Sequence, residues 1–379
     1  CHLLDWLWLF IIPVDFLKQA VTVFRLITSS TLWTTWIAIS IFALTQLSSA
    51  HASSTEVGDL YEIRLPVNSQ SRDDRQQALQ EGFAQVLVKV SGQRDVLTIP
   101  AVRSELSRHT NYLVQYNYVT EERQLMLRAQ FDERRIEELL RRADATYWSA
   151  RRPNLMFWVA QESPRGIQLA GRDTDSELIP ALRQQSRVRG LPISFPLLDL
   201  TDRMLVSPSD VWGRFDAPVL EATQRYPANG VVIVRVQEVD DEVRGQWSLV
   251  VGNTRRAGQT QAEDLASLGQ AIMDEVTERV AAEYAVTFSD RSRGDFRIRV
   301  TNLMDLERLL EVEAMLGRLG SVERVTLSRY HQGSAEFNLL LIGDMSRALQ
   351  ALELENRMQR VVDPWSTDAS PVVEYRWLR

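Results

Sequence analysis

The stretch GVVIVRVQEVDDEVRGQWSLVV, Gly230 to Val251, holds two runs rich in valine on either side of the acidic triplet Asp240-Asp241-Glu242. β-Branched residues at this density favour extended backbone, and a short polar cluster between such runs suits a turn. The stretch therefore predicts a β-hairpin. Working outward, NLMFWVA (154–160) predicts a short buried strand and PISFPLLDL (192–200) another. Helices are expected around Glu177–Val188, Val219–Tyr226 and Asp264–Tyr284. Strand and helix alternate, so 153–290 reads as a layered α/β domain.

Upstream, LYEIRLPV (60–67) alternates apolar and polar residues as a half-buried strand does. A helix start follows: Ser71 is placed to cap, and Asp74 stands where the acid of a capping box belongs. Ala78, Leu79, Phe83, Val86, Leu87 and Val90 recur at helical spacing, and Gly92 is placed to end the helix. A short helix near Arg103–Arg108, two strands (YLVQYNYV and QLMLRAQF) joined by TEER, and the helix DERRIEELLRRA complete a first domain over 57–148. SARRP, Ser149 to Pro153, reads as a linker.

Downstream, FRIRVTNL, a helix over Asp305–Leu319 and VERVTLSRY form one strand-helix-strand unit. AEFNLLLI, a helix over Met345–Leu354 and MQRVVD form a second. Two such units in series give βαββαβ, a ferredoxin-like arrangement over 295–379, with VVEYRWLR adding an edge strand. The fold class is thus mixed, α+β and α/β, in three small domains that follow an N-terminal signal segment.

That segment occupies 1–52. Residues 26–47 are apolar and uncharged, Arg25 precedes them, and Ala50-His51-Ala52 supplies the small-x-small pattern of a signal peptidase site. Cleavage after Ala52 would leave Ser53 first and the product soluble in the periplasm. The alternative is an uncleaved helix, residues 26–47, anchoring the chain in the inner membrane. CHLLDWLWLFIIPVDFLKQA, interrupted by Asp5, Pro13 and Asp15, reads as translated from in front of a start at Val21 or Val23. No cysteine follows the apolar run, so a lipoprotein anchor is not expected.

The 379 residues are 45% hydrophobic and 25% charged, which are globular values. A net charge of −7 without a basic block argues against nucleic acid as a partner. Cys1 is the sole cysteine, so a mature chain has neither a disulfide nor thiolate chemistry. His109 and His331 lie in no HExxH pattern, no Gly-x-Ser-x-Gly occurs, and Asp240 to Glu242 read as solvated turn residues before they read as a calcium or magnesium site. No catalytic residue, metal or cofactor is expected. The weak binding candidates are Arg94 and Asp95, in the loop SGQRDV after the first long helix.

At YEIRLPVNSQSRDDRQQALQEGFAQVLVKVSGQRDVL (61–97) the chain resembles the DUF2066 family of exported gammaproteobacterial proteins, and the resemblance runs through Gly230–Val251 to YRWL near the C-terminus. It implies an envelope protein of unknown specific activity. It also implies envelope proteins as partners, an inner-membrane permease of the AI-2E transporter type among them. The βαββαβ region shares its topology with SPOR-type peptidoglycan-binding domains, which makes peptidoglycan a second expected partner by analogy of fold. RNA-recognition domains share it too, but AEFNLLLI lacks the glycine and paired aromatics that stack bases. The middle domain is similar to α/β modules of envelope lipoproteins that activate synthases. The expected role is a non-enzymatic accessory or scaffold acting through protein contacts. The alternatives are a peptidoglycan-binding protein, or an Asp/Glu-dependent cell-wall glycan hydrolase with two carboxyl groups about 5 to 9.5 Å apart.

Overall fold

The computed structural model describes residues 55–164, 166–174, 176–240, 242–287, 295–343, 345–361 and 372–378. The expected leader, its cleavage point and the apolar 26–47 segment lie outside these residues, as does Asp241. Among the described residues no helix is long and apolar enough to cross a membrane. The class is mixed α/β.

β1 (Thr55–Glu56) and β2 (Glu62–Pro66) lead into α1 (Arg72–Ser91). Ser71 Oγ accepts the Asp74 N–H at 3.1 Å, the cap its position predicts. The other half of the expected capping box is not made, because the Asp74 carboxylate takes the Ser69 hydroxyl at 2.6 Å instead. The stripe Ala78 to Val90 is buried. Gly92 ends the helix at φ 75°, where a side chain is strained, and its N–H donates to Val88 O at 2.8 Å. α2 (Pro100–Leu106), β3 (Leu113–Glu121), β4 (Gln124–Phe131) and α3 (Glu133–Arg142) follow. α1 packs on an antiparallel sheet of order β2-β4-β3, whose TEER turn puts Glu122 and Arg123 at positive φ as a two-residue hairpin requires.

The expected linker is ordered. β5 (Thr146–Tyr147) precedes it and β6 (Arg151–Arg152) lies within it, paired with β1 in the register Thr55↔Arg152. β7 (Leu155–Ser163), β8 (Gly166–Ala170), α4 (Leu178–Arg189) and β9 (Ile193–Ser194) open the central sheet. Three short helices then cross it: α5 (Leu200–Leu205), α6 (Pro208–Gly213) and α7 (Asp216–Thr223). β10 (Gly230–Val239), β11 (Glu242–Val251), β12 (Thr254–Ala262) and α8 (Leu265–Tyr284) complete it.

The sheet order is β12-β11-β10-β7-β8, with β9 also on β7, and the hairpin that opened the reading is β10–β11. α4 and α8 cover one face, and α6 and α7 the other. Two expectations need correction. PISFPLLDL is a strand only at Ile193–Ser194, since Pro196 has no N–H to give a ladder and Asp199 caps α5. β12 was not expected, because TRRAGQTQA is a mostly polar edge strand without apolar alternation.

β13 (Val286–Thr287) pairs with β5. β14 (Asp295–Thr301), α9 (Leu306–Gly317), β15 (Val322–His331), β16 (Ser334–Leu341), α10 (Met345–Glu353), β17 (Met358–Arg360) and β18 (Val372–Trp377) build the last sheet, of order β15-β16-β14-β18-β17. Here the expected βαββαβ arrangement is not met at its last two strands. VVEYRWLR lies parallel to β14, and MQRVVD contributes only the three-residue edge strand β17. The cause is burial: Tyr375 and Trp377 fill the core, whereas Gln359 and Arg360 face solvent. β15 is an edge with two irregularities in its pairing, between Val322 and Arg324 and between Leu327 and Arg329.

Candidate functional site

α3 begins at a cap, Asp132 Oδ1 accepting the Arg135 N–H at 3.0 Å. Ile136, Leu139 and Leu140 turn inward. That rotation leaves Glu133 and Glu137, one turn apart, on a flank that meets two tyrosines. Tyr61, from the residue just before β2, donates its hydroxyl to Glu137 Oε1 at 3.2 Å. Tyr147, on β5, stands beside both groups.

Together they form one wall and the floor of a cleft of about 330 Å³. Met315, Arg318, Leu319 and Val322 form the facing wall. The second wall is held close in two ways. A Cβ on Gly320 would stand 3.1 Å from Ser149 Cβ and 3.2 Å from Tyr147 Cε1, so the missing side chain permits the approach. Arg151 and the buried Glu355 form an ion pair across the same junction, and Glu355 also receives Arg357 at 3.5 Å.

Burial, joined by the nearby carboxylates, pushes the hydroxyls of Tyr61 and Tyr147 well above the ordinary tyrosine range, so both stay protonated and able to donate. Burial and then the neighbouring Glu137 raise the Glu133 carboxyl above its ordinary value. Of the three arginines on the lining, Arg141 pairs with Glu138 at 3.8 Å and Arg151 with Glu355. Among the described residues no guanidinium or ammonium group pairs with Glu133 or Glu137, and no carboxylate pairs with Arg318.

A second cluster ties the chain together. Arg152, fully buried, donates to Ser149 O (3.1 Å), Arg189 O (3.0 Å), Gly190 O (2.9 Å), Lys89 O (2.7 Å) and Trp148 O (3.1 Å). Lys89 lies in the last turn of α1 and Arg189 ends α4, so one guanidinium receives the negative ends of two helix dipoles. Burial pushes its pKa down to about 9, and it keeps its proton at neutral pH. Arg189, also buried, reaches Asp274 at 3.0 Å and Gly92 O at 3.0 Å.

Of the residues expected from sequence, Arg94 joins that cluster: it meets Glu278 at 2.6 Å and Asp274 at 3.3 Å, both on α8. Asp95 is exposed in a 3-10 turn, where its carbonyl takes the Thr98 hydroxyl at 2.7 Å. The two are adjacent in sequence but share no partner. His109 is buried near Leu106 O, and His331 ends β15 on a different sheet. Asp240 sits in its turn at positive φ. Among the described residues no three His, Cys, Asp or Glu side chains converge as a metal site. Sequence reasoning missed Tyr61, Glu133, Glu137 and Arg152. The i, i+4 acids of α3 are a visible signal but are shared by every polar helix face, and the partners of Arg152 are carbonyls, which leave no side-chain pattern.

Residues 54–149 match the family model described as Domain of unknown function (DUF8605). This overturns the resemblance to DUF2066: the matching family is a different one, and its match stops at residue 149. The stretch that suggested DUF2066 is a strand and a capped amphipathic helix, a pattern many families share, and both Gly230–Val251 and YRWL lie outside the match. No curated protein and no solved structure matches the chain.

Proposed function

We propose that this is an exported protein of the cell envelope that works by binding, as an accessory or scaffold, with no catalytic step of its own. Three modules serve that role, 57–148, 153–290 and 295–379. The last keeps a ferredoxin-like order in β14, β15 and β16 and departs from it at β18, which lies beside β14 but parallel to it, with β17 as an added edge.

The observation that carries the reading is the joint between modules. Arg152 bonds simultaneously to the ends of α1 and α4, and Arg189 carries the same joint to α8. Such satisfied, desolvated guanidinium groups fix geometry. A fixed frame that exposes edge strands, β3, β12 and β15 among them, suits the presentation of surfaces.

The cleft argues against glycan hydrolysis. A hydrolase sets its two carboxyl groups on either side of the scissile bond, whereas Glu133 and Glu137 project from one flank of one helix. Envelope proteins are the proposed partners. The permease expectation loses its basis with the DUF2066 resemblance.

Cross-linking in living cells with a tagged full-length chain, followed by mass spectrometry of the adducts and of the amino terminus, tests the reading. One dominant envelope partner and a terminus at Ser53 are expected. Failure to capture a partner, together with release of fragments from sacculi by the purified protein, overturns it in favour of a hydrolase. Sedimentation with sacculi without release makes it a peptidoglycan binder.

A further inference from the structure

The cleft between α3 and the Gly317–Val322 segment has a charge arrangement that the joint between modules does not explain. On one wall Glu133 and Glu137 stand a turn apart, held by neutral tyrosine hydroxyls and paired with no cation among the described residues. On the other wall Arg318 makes no ion pair with a carboxylate among the described residues, the third acid of the lining, Glu56, acting on Arg151. Structural ion clusters in this chain are closed instead: Arg94, Arg189, Asp274 and Glu278 satisfy one another, as do Arg225, Asp199 and Asp202.

Opposite charges left open on facing walls fit a ligand that brings both complements. Two adjacent carboxylates attract an ammonium group, and the planar fork of an arginine suits a carboxylate. Tyr61 and Tyr147 supply flat apolar area between them, with polar tips turned to the acids. The volume of about 330 Å³ is at the lower end for small-molecule sites, which run from roughly 300 to 1,000 Å³. It suits an amino acid or a dipeptide.

We propose that this cleft binds a small zwitterion of the amino-acid or dipeptide class, with its ammonium group on Glu133 and Glu137 and its carboxylate on Arg318. The assignment rests on the binding reading above and names what this one site takes. Selectivity follows from the chemistry: masking either end of the ligand leaves a charged group of the protein without its complement.

The test is calorimetric titration of the purified full chain with three probes: alanyl-alanine, its N-acetyl form and its C-terminal amide. The free dipeptide is expected to bind, acetylation to weaken it at least tenfold, and amidation to weaken it severalfold or more. The double variant Glu133→Gln/Glu137→Gln is expected to bind the free dipeptide no better than the acetylated one. Arg318→Gln is expected to weaken the dipeptide while leaving the amide unchanged. These three side chains lie outside the buried cores, and matching thermal unfolding curves check that the variants fold. Equal binding of free and acetylated forms overturns the proposal, as does no binding of any probe by the native chain. Either result leaves the accessory role to stand or fall on partner capture, which reads a different surface.

Discussion

The guanidinium carbon of Arg152 lies 4.1 Å from the centre of the Trp148 ring, with both side chains fully buried. Stacked in this way, the guanidinium presents its N–H groups edge-on to five carbonyls from three parts of the chain. No carboxylate is needed, because two helix C-termini supply the negative potential.

Replacing Arg152 by methionine leaves those buried carbonyls without donors. Stability is expected to fall by about 4 kcal/mol, the scale of breaking a buried charged network. Arg152→Lys rescues little, because an ammonium group cannot span the same fork. Urea denaturation followed by tryptophan fluorescence measures both. A loss below about 1 kcal/mol for the methionine variant would show that the carbonyls find other donors.

Arg94 and Arg189 touch the same acids from different depths, with side chains 53% and 2% exposed. Arg94→Ala is expected to cost about 0.5 kcal/mol, as exposed pairs do, and Arg189→Ala about 3 kcal/mol. Arg94 was a binding candidate from sequence, so the small cost makes it testable: a drop in partner capture by a stable Arg94→Ala protein would assign it to recognition.

Gly92 is constrained twice, by φ 75° and by Ala281 Cβ, which would lie 2.4 Å from an added Cβ. Gly92→Ala is therefore expected to destabilise by about 2–4 kcal/mol, combining a strained cap with overpacking. At Gly320 the conflict is with Tyr147 and Ser149, which are distant in sequence. Gly320→Val is expected to speed amide exchange in β5 and β13 while the core strands β10 and β16 keep their protection.

Asp199 caps α5 and receives Arg225 through both oxygens at 2.7 Å. The Arg225 hydrogen bond holds its carboxyl well below the ordinary aspartate value of 3.8. A depressed acid stabilises the fold fully above its unfolded pKa and loses that contribution as pH falls through 3.8 toward the lower folded value. Amide protection of Leu200–Leu205 should thus differ between the native chain and Asp199→Asn at pH 7, and the difference should close under acid. A difference of undiminished size at pH 2 would place the effect in packing.

Much of the fold was written locally. The valine runs of Gly230–Val251 declare a hairpin, and α8 runs where Asp264 and the apolar spacing put it. What escaped depends on distant partners. SARRP has the polarity of a linker, and nothing within it says that Arg152 will meet the ends of two helices. MQRVVD and VVEYRWLR are both strand-like, and only the bulk of Tyr375 and Trp377 decides which lies beside β14. The cleft was illegible for the same reason: its second wall, Met315 to Val322, comes from a part of the chain far from α3.

The position of β18 bears on how the last sheet assembles in time. β14 is made first, yet one of its flanks stays open until α9, β15, β16, α10 and β17 have all been synthesised and β18 arrives to fill it. Closing so long a loop is slow, and the chain meanwhile exposes a bare strand. Trp377 seats in the core only when β18 pairs, so amide protection of β14 and β18 should appear together during refolding. Until β18 arrives, β14 presents one open edge that a chaperone could grip.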